Sequence, residues 1–74
     1  MRIAIDASRA INEKAGIGRY TLELVRHLLK VDQKNEYLLI FSFMRSSNYK
    51  EKIIKEFQKN TNVQTKIFRL PGHL

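Results

Sequence analysis

The sequence predicts an α/β domain of the order β-α-β-α-β with a three-stranded parallel sheet. Strand-like and helix-like segments alternate along the chain, and the second strand segment is apolar throughout. Connections between neighbouring parallel strands are right-handed crossovers in nearly all proteins. We therefore expect the strands to end at one edge of the sheet, where ligands bind in domains of this kind.

The composition is that of one small globular domain or of a piece of a larger one. The chain has 74 residues, of which 43% are hydrophobic and 28% charged. Cysteine is absent, which excludes disulfide bonds, a thiolate nucleophile and a cysteine-ligated zinc site. With only two histidines, His27 and His73, and no dense carboxylate cluster, we expect no metal site.

The net charge of +7 favours anionic partners such as phosphates, nucleic acid or an acidic membrane surface. No apolar run approaches the roughly 20 residues that cross a bilayer. Asp6 and Arg9 interrupt any apolar segment of a signal peptide. We expect a cytoplasmic location, with peripheral contact to the inner face of the membrane as a further option.

The first strand is predicted at Arg2–Asp6, and a loop of small and polar residues is expected over residues 7–15. A helix follows at Ile17–Val31 and has a very broad apolar surface. We expect one apolar stripe to be buried, including Tyr20, and a second to lack a partner within this chain. The first stripe is Ile17, Tyr20, Leu24, Leu28 and Val31. Leu22, Val25 and Leu29 widen the apolar surface, and the second stripe is Leu22 and Leu29.

The second strand is predicted at residues 36–42, and its continuous apolar core is typical of a strand covered on both faces. A second helix is expected at residues 49–60, with Ser47 or Asn48 as its cap. The third strand, residues 63–70, alternates between apolar and polar residues and fits a half-exposed edge.

Three strands with helices on one face make half of a doubly wound domain. Such a short chain also has a small core. We therefore interpret residues 1–74 as a single incomplete domain, the start of a longer protein. Although Lys66 discourages edge-to-edge pairing, the unfinished sheet could still support a homo-oligomer.

A glycine turn precedes the long helix and is the most suggestive chemical feature. Gly16 and Gly18 leave backbone N–H groups uncovered, and the positive end of the helix dipole favours a bound phosphate. Arg19 adds a bidentate donor. An ordinary loop and helix start explains the same residues, and a short motif alone favours that interpretation.

Two phosphate-binding motifs fit the turn poorly. In a dinucleotide fingerprint, a glycine or alanine would replace Thr21, and the glycines would follow the strand immediately rather than about ten residues later. No acidic residue ends the second strand to hold a ribose. The Gly-Lys-Ser/Thr of a P-loop is absent.

Three segments of the chain form a combined pattern: Met1-Arg2-Ile3-Ala4-Ile5-Asp6-Ala7, Gly16-Ile17-Gly18-Arg19-Tyr20-Thr21-Leu22-Glu23-Leu24, and Asn35-Glu36-Tyr37. In these segments the chain resembles the amino-terminal part of bacterial family 4 glycosyltransferases, in particular their mannosyltransferase-like branch. The likeness is dense over residues 1–41 and only topological afterwards. The resemblance implies a GT-B enzyme, in which two Rossmann-like domains face a cleft. Their first domain mainly holds the acceptor, and the second holds the nucleotide-sugar donor, usually without a metal ion.

By this resemblance, Gly16, Ile17 and Gly18 line the cleft, with Arg19 and Tyr20 close behind. Asp6 would lie near the cleft floor, although a turn acid after a strand explains it equally well. Arg9 stands one position later than the family's usual arginine, so that arginine's role is not carried over. The family's cleft histidine is not assigned to His73, and its paired donor glutamates are absent. We expect the 74 residues alone to be inactive, with catalytic residues beyond residue 74.

The alternative is a small basic binding module. Lys52, Lys55 and Lys59 share one face of the second helix and are typical of a solvated surface. Near an anionic membrane, each basic side chain would contribute about 1 kcal/mol. Nucleic acid fits less well, because the basic residues are spread out and no aromatic stacking platform is present.

Overall fold

The computed structural model describes residues 1–13 and 15–70, so His73 lies outside the described residues. In chain order the elements are β1 (Arg2–Asp6), α1 (Ser8–Asn12), α2 (Ile17–Val31), β2 (Glu36–Phe43), α3 (Asn48–Gln58) and β3 (Val63–Arg69). The predicted α/β class is confirmed, and the architecture is compatible with part of a Rossmann-like domain. The expected loop over residues 7–15 is wrong in part, because α1 forms within it.

The sheet is parallel throughout, with the strand order β1-β2-β3. Arg2 lies opposite Glu36 at the start of the first pair, and Tyr37 lies opposite Val63 in the second. Both crossovers step across the sheet in the same direction. Right-handed connections therefore put the helices on one face and leave the other face open among the described residues.

The core lies between the helices and one face of β2. Alternate residues of β2 are buried on this face, and the residues between them are only half-buried. The buried set is Tyr37, Leu39, Phe41 and Phe43, and the half-buried set is Leu38, Ile40 and Ser42. The expectation that β2 is covered on both faces is therefore wrong for the described residues. A continuous apolar run indicates apolar faces but does not determine whether the same chain covers them.

The prediction of which apolar stripe of α2 is buried is wrong, because the helix is rotated the other way about its axis. Leu22, Val25 and Leu29 are buried against the sheet, whereas Tyr20 is 67% exposed. The other apolar residues of the expected buried stripe are mostly exposed as well: Ile17, Leu24 and Val31. Both stripes fit a helical period, and the helix can turn only one of them to the sheet. Gly18 lies in line with the buried set and permits the close approach of the preceding chain.

Polar contacts fix the elements to one another. Arg26 of α2 holds Glu56 of α3 through two hydrogen bonds, of 2.7 Å from Nε and 2.8 Å from Nη2. At the amino ends of the strands, Asp32 accepts a 2.5 Å hydrogen bond from the hydroxyl of the buried Tyr37. None of the helices in residues 1–13 and 15–70 combines the length and apolarity needed to cross a bilayer.

Candidate functional site

The carboxyl ends of β1 and β2 are joined by a small polar cluster. Ser8 Oγ lies 3.0 Å from Ser42 Oγ and accepts a 2.8 Å hydrogen bond from the Ser42 backbone N–H. Asn12 Nδ2 donates to the Ser42 carbonyl at 2.9 Å. These bonds place α1 across the ends of the two strands, with Ala10 and Ile11 buried beneath it.

Asp6 ends β1 on the exposed side of this cluster. Its Oδ1 accepts a 3.0 Å hydrogen bond from the Ser8 N–H. Hydrogen bonds from the side chain and backbone of Ser8 lower the pKa of Asp6 below its ordinary value, with a smaller contribution from the charge of Arg9. Asp6 is therefore ionised at neutral pH and stabilises the turn into α1. The carboxylate also faces solvent, so the turn role and a ligand-binding role are compatible.

The two glycines before α2 have different structural roles. Gly16 is exposed, with φ +60° and ψ −126°, a conformation that glycine adopts readily and other residues rarely do. A Cβ at this position would meet no atom within 4 Å. Gly18 is buried, and a Cβ there would overlap the Glu13 carbonyl oxygen. Its N–H donates to the Ala15 carbonyl at 3.2 Å. Gly18 therefore serves packing, and Gly16 provides the open backbone of the turn.

The amino terminus of α2 lies on the carboxyl side of the sheet. At the other end of this helix, Asp32 bonds to Asn35, and Asn62 Nδ2 donates to the Asn35 carbonyl at 2.8 Å, beside the starts of β2 and β3. Because α2 spans the sheet in the reverse direction, Gly16 lies toward the strand ends. The first turn of α2 contains no acidic residue, so no carboxylate within that turn offsets the positive end of the helix dipole.

Ile17 and Arg19 are both exposed beside Gly16. Arg19 Nε lies 3.8 Å from Glu23 Oε2, a loose surface pair that leaves the guanidinium accessible. Gly16, Ile17 and Arg19 are therefore exposed in one turn, and Gly18 is buried beneath it. Asp6 belongs to the neighbouring strand-end cluster, and α1 separates it from the turn along the chain.

Basic side chains that the sequence does not single out collect at the ends of β2 and β3. Lys50 Nζ lies 5.2 Å from the centroid of the Phe43 ring, and the Arg69 guanidinium lies 5.6 Å from the same centroid. Lys50 Nζ also donates to the Arg45 carbonyl at 2.6 Å. A broad depression of about 530 Å³ lies here, lined by Asn12, Met44, Arg45 and Lys50. Phe43, Arg45 and Lys50 are close in sequence, and the pairing of β2 with β3 adds Arg69, which no local pattern could reveal.

The arrangement can hold an anion but offers no evident metal site. No three residues among His, Asp and Glu converge to hold a metal ion within residues 1–13 and 15–70. The accessible groups are the exposed backbone at Gly16 and Ile17 and the guanidinium of Arg19, because the Gly18 N–H is bonded to the Ala15 carbonyl. Asp6 is an acceptor for hydroxyl groups. No family model, curated protein or solved structure matches this chain.

Proposed function

We propose that this chain forms the first part of the acceptor-side domain of a GT-B glycosyltransferase. The complete enzyme would transfer a hexose from a nucleotide sugar to a glycan or a lipid-linked acceptor. Support comes from the resemblance over residues 1–41 and from the parallel sheet that the resemblance implies. The proposal includes no metal ion and no organic cofactor.

One observation carries the proposal: the exposed, positive-φ turn at Gly16 opens a 15-residue helix on the carboxyl side of the parallel strands. When a nucleotide sugar reacts, negative charge grows on the departing nucleoside diphosphate. Prearranged N–H donors and the positive end of a helix stabilise that charge. Removal of one such donor typically raises the transition-state energy by on the order of 3 kcal/mol.

Arg19 and Asp6 take different roles in this proposal. Arg19 is exposed next to the turn and supplies positive charge to the diphosphate. Asp6 is ionised and exposed at the end of β1, where its carboxylate can accept hydrogen bonds from acceptor hydroxyl groups. The residues that make and break the glycosidic bond would lie beyond residue 74.

The coding sequence after codon 74 tests this proposal. We expect it to continue into a second α/β domain with paired glutamates, and a stop codon directly after codon 74 would overturn the proposal. In the complete protein, Arg19→Ala should lower the rate of sugar transfer at least tenfold, as expected for a lost charge-assisted hydrogen bond. Lys30→Ala removes the same charge from the other end of α2 and should leave the rate unchanged. Equal rates of sugar transfer for both variants would show that Arg19 does not contact the donor diphosphate.

The second candidate function is a basic module that binds an anionic membrane. It is favoured by one observation: Lys52, Lys55 and Lys59 are all exposed along α3. The neighbouring Glu56 is paired with Arg26 across the helix interface and does not offset this face fully. Titration with vesicles of anionic lipid over a salt series tests the module. Tight binding that weakens steeply with salt and is lost in Lys52→Gln/Lys55→Gln would support it.

A further inference from the structure

β1 is an edge strand of the described sheet, since it pairs only with β2. The Met1 carbonyl accepts from the Glu36 N–H at 2.9 Å, and the Ala7 N–H donates to the Ile40 carbonyl at 2.8 Å. In a strand, the N–H and C=O of one residue point the same way, and those of successive residues alternate. The odd-numbered residues therefore bond to β2. The residues that direct both backbone groups to the open edge are Arg2, Ala4 and Asp6.

The same side of the molecule carries an unpartnered apolar surface on α2. Arg26 faces α3 through Glu56, so the opposite side of α2 lies toward β1. Four apolar residues of α2 outside the buried set are more than half exposed. They are Ile17, Tyr20, Leu24 and Val31, and we call them the α2 stripe. Ile17 and Leu24 are the two that lie nearest the β1 side. The open strand edge and the α2 stripe are thus continuous parts of one surface.

We propose that this surface is a homodimer interface in which β1 pairs antiparallel with β1 of a second copy about a two-fold axis at Ala4. The α2 stripes of the two copies then pack against each other over the same face of the joined sheet. An interface around a two-fold axis must be complementary to itself. The sequence of β1 meets this condition.

Opposite charges face each other when the two β1 strands pair through all three residues that point to the open edge: Arg2, Ala4 and Asp6. Centring the pair on Ala4 puts Arg2 opposite Asp6 of the partner subunit, and Asp6 opposite Arg2 of the partner subunit. Ile3 then lies opposite Ile5 of the partner subunit on the helix-covered face. Opposite charges and β-branched residues facing each other across strands both stabilise a sheet. Arg2 and Asp6 are both exposed, and their present partners are a 3.3 Å surface pair of Arg2 with Glu36 and a bond from the Ser8 N–H to Asp6 Oδ1.

The spacing of the helices fits the same axis. Neighbouring strands lie about 4.8 Å apart. In the proposed dimer we place α2 over the gap between β1 and β2, the two strands that it connects. On that geometry each α2 lies about 5 Å from the two-fold axis. The two helices are then about 10 Å apart, which is the spacing of packed helices. Ile17 and Leu24 of the two α2 stripes therefore come within contact distance of their copies when β1 pairs.

The dimer is proposed for the 74-residue chain and needs no glycosyl-transfer chemistry. A strand added at this edge by a longer chain would take the place of the second copy, so a dimer of the 74-residue chain neither supports nor refutes the proposed function. The surface is smaller than the 20 to 30 residues per partner of a standard interface. We therefore expect a reversible dimer with a dissociation constant of about micromolar order.

Sedimentation equilibrium over a range of concentrations measures this dimer. Arg2→Asp and Asp6→Arg should each weaken it about tenfold by facing like charges, and the double variant should restore it. Leu24→Lys in the α2 stripe should also weaken it at least tenfold. Gln58→Lys adds the same charge at an exposed position of α3 beside β3, at the other edge of the sheet, and should have no effect. A monomer at every concentration, or a dimer that none of these interface variants weakens, would overturn the proposal.

A cross-link tests the register directly. The native chain has no cysteine, so Ala4→Cys introduces a single thiol. Paired residues of this type lie about 5.5 Å apart between Cα atoms, within the range of a disulfide. With oxidised glutathione, Ala4→Cys should form a covalent dimer rapidly, and Gln58→Cys, exposed beside β3 at the other edge of the sheet, should not. Equal cross-linking of both variants would contradict the register, and circular dichroism verifies the fold of each variant.

Discussion

Gly18 lies so close to Glu13 that a side chain at position 18 would overlap the Glu13 carbonyl oxygen. This contact joins the start of α2 to the residue that follows α1. A glycine that the sequence associates with phosphate binding is therefore required for packing, whatever the protein binds.

Substitution of the two glycines should separate packing from backbone strain. Gly18→Ala forces the chain after α1 to move, and overpacking of this kind costs about 1–3 kcal/mol of the free energy of unfolding. Gly16→Ala meets no atom but adopts an unfavourable φ, which costs about 1–2 kcal/mol. Urea unfolding measures both. A change in the amide spectrum around α1 should accompany Gly18→Ala alone, and its absence would contradict the contact.

The ion pair between Arg26 and Glu56 should make stability depend on pH. The hydrogen bond from Arg26 is the main cause that lowers the pKa of Glu56. Both side chains are more than a third exposed, so Glu56→Gln should cost about 0.5–1 kcal/mol at neutral pH. Because folding lowers the pKa of Glu56, the ion pair stabilises the fold at pH values above the ordinary glutamate pKa. This stabilisation is lost as the pH falls through the lowered pKa that Glu56 has in the folded state.

The difference between the parent chain and Glu56→Gln should therefore disappear under acidic conditions. Glu36→Gln is the control, because its pair with Arg2 is 3.3 Å long and both side chains are more exposed. It should change the stability little at any pH. An effect of Glu56→Gln that persists at low pH would mean that packing, rather than charge, holds this contact.

Tyr37 and Asp32 form a second pH-sensitive contact at the amino ends of the strands. The Tyr37 hydroxyl and the Asn35 side chain hold the pKa of Asp32 far below its usual range. The same hydrogen bond to Asp32, together with burial, raises the pKa of Tyr37. Tyr37→Phe should therefore raise the pKa of Asp32 toward its ordinary value and lower the melting temperature. Carboxyl resonances followed through an acid titration measure this, and an unchanged Asp32 pKa would contradict the assignment.

The 74-residue chain should show no sugar transfer by itself. Among the described residues, the candidate site offers amides, Arg19 and Asp6, but nothing corresponding to a donor domain. Incubation with labelled nucleotide sugars and a lipid-linked or glycan acceptor measures this. Turnover above that of Gly16→Val would contradict the expected division of function between two domains.

The sequence is most informative about local structure. The predicted bounds of β1 and α2 are the observed ones, and Ser47 accepts a hydrogen bond from the Lys50 N–H as the cap of α3. These features depend on periodicity and capping within a few residues. The five-residue α1 is too short to produce a clear period, and its apolar residues Ala10 and Ile11 fit a loop equally well.

Features that depend on distant contacts could not be predicted. Which stripe of α2 faces the sheet is decided by the packing of Gly18 on Glu13 and by the bond from Arg26 to Glu56. The meeting of Lys50 and Arg69 over Phe43 depends on the register of β2 and β3. Neither contact leaves a pattern in a single segment of sequence.

The binding of a nucleoside diphosphate to the glycine turn is the central claim. Amide resonances of the labelled chain, followed during titration with UDP and GDP, test it most directly. The account predicts saturable shifts centred on Gly16, Ile17 and Arg19 that are reduced in Arg19→Ala and retained in Lys30→Ala. Shifts confined to the lysines of α3, or no shifts at millimolar ligand, would contradict it.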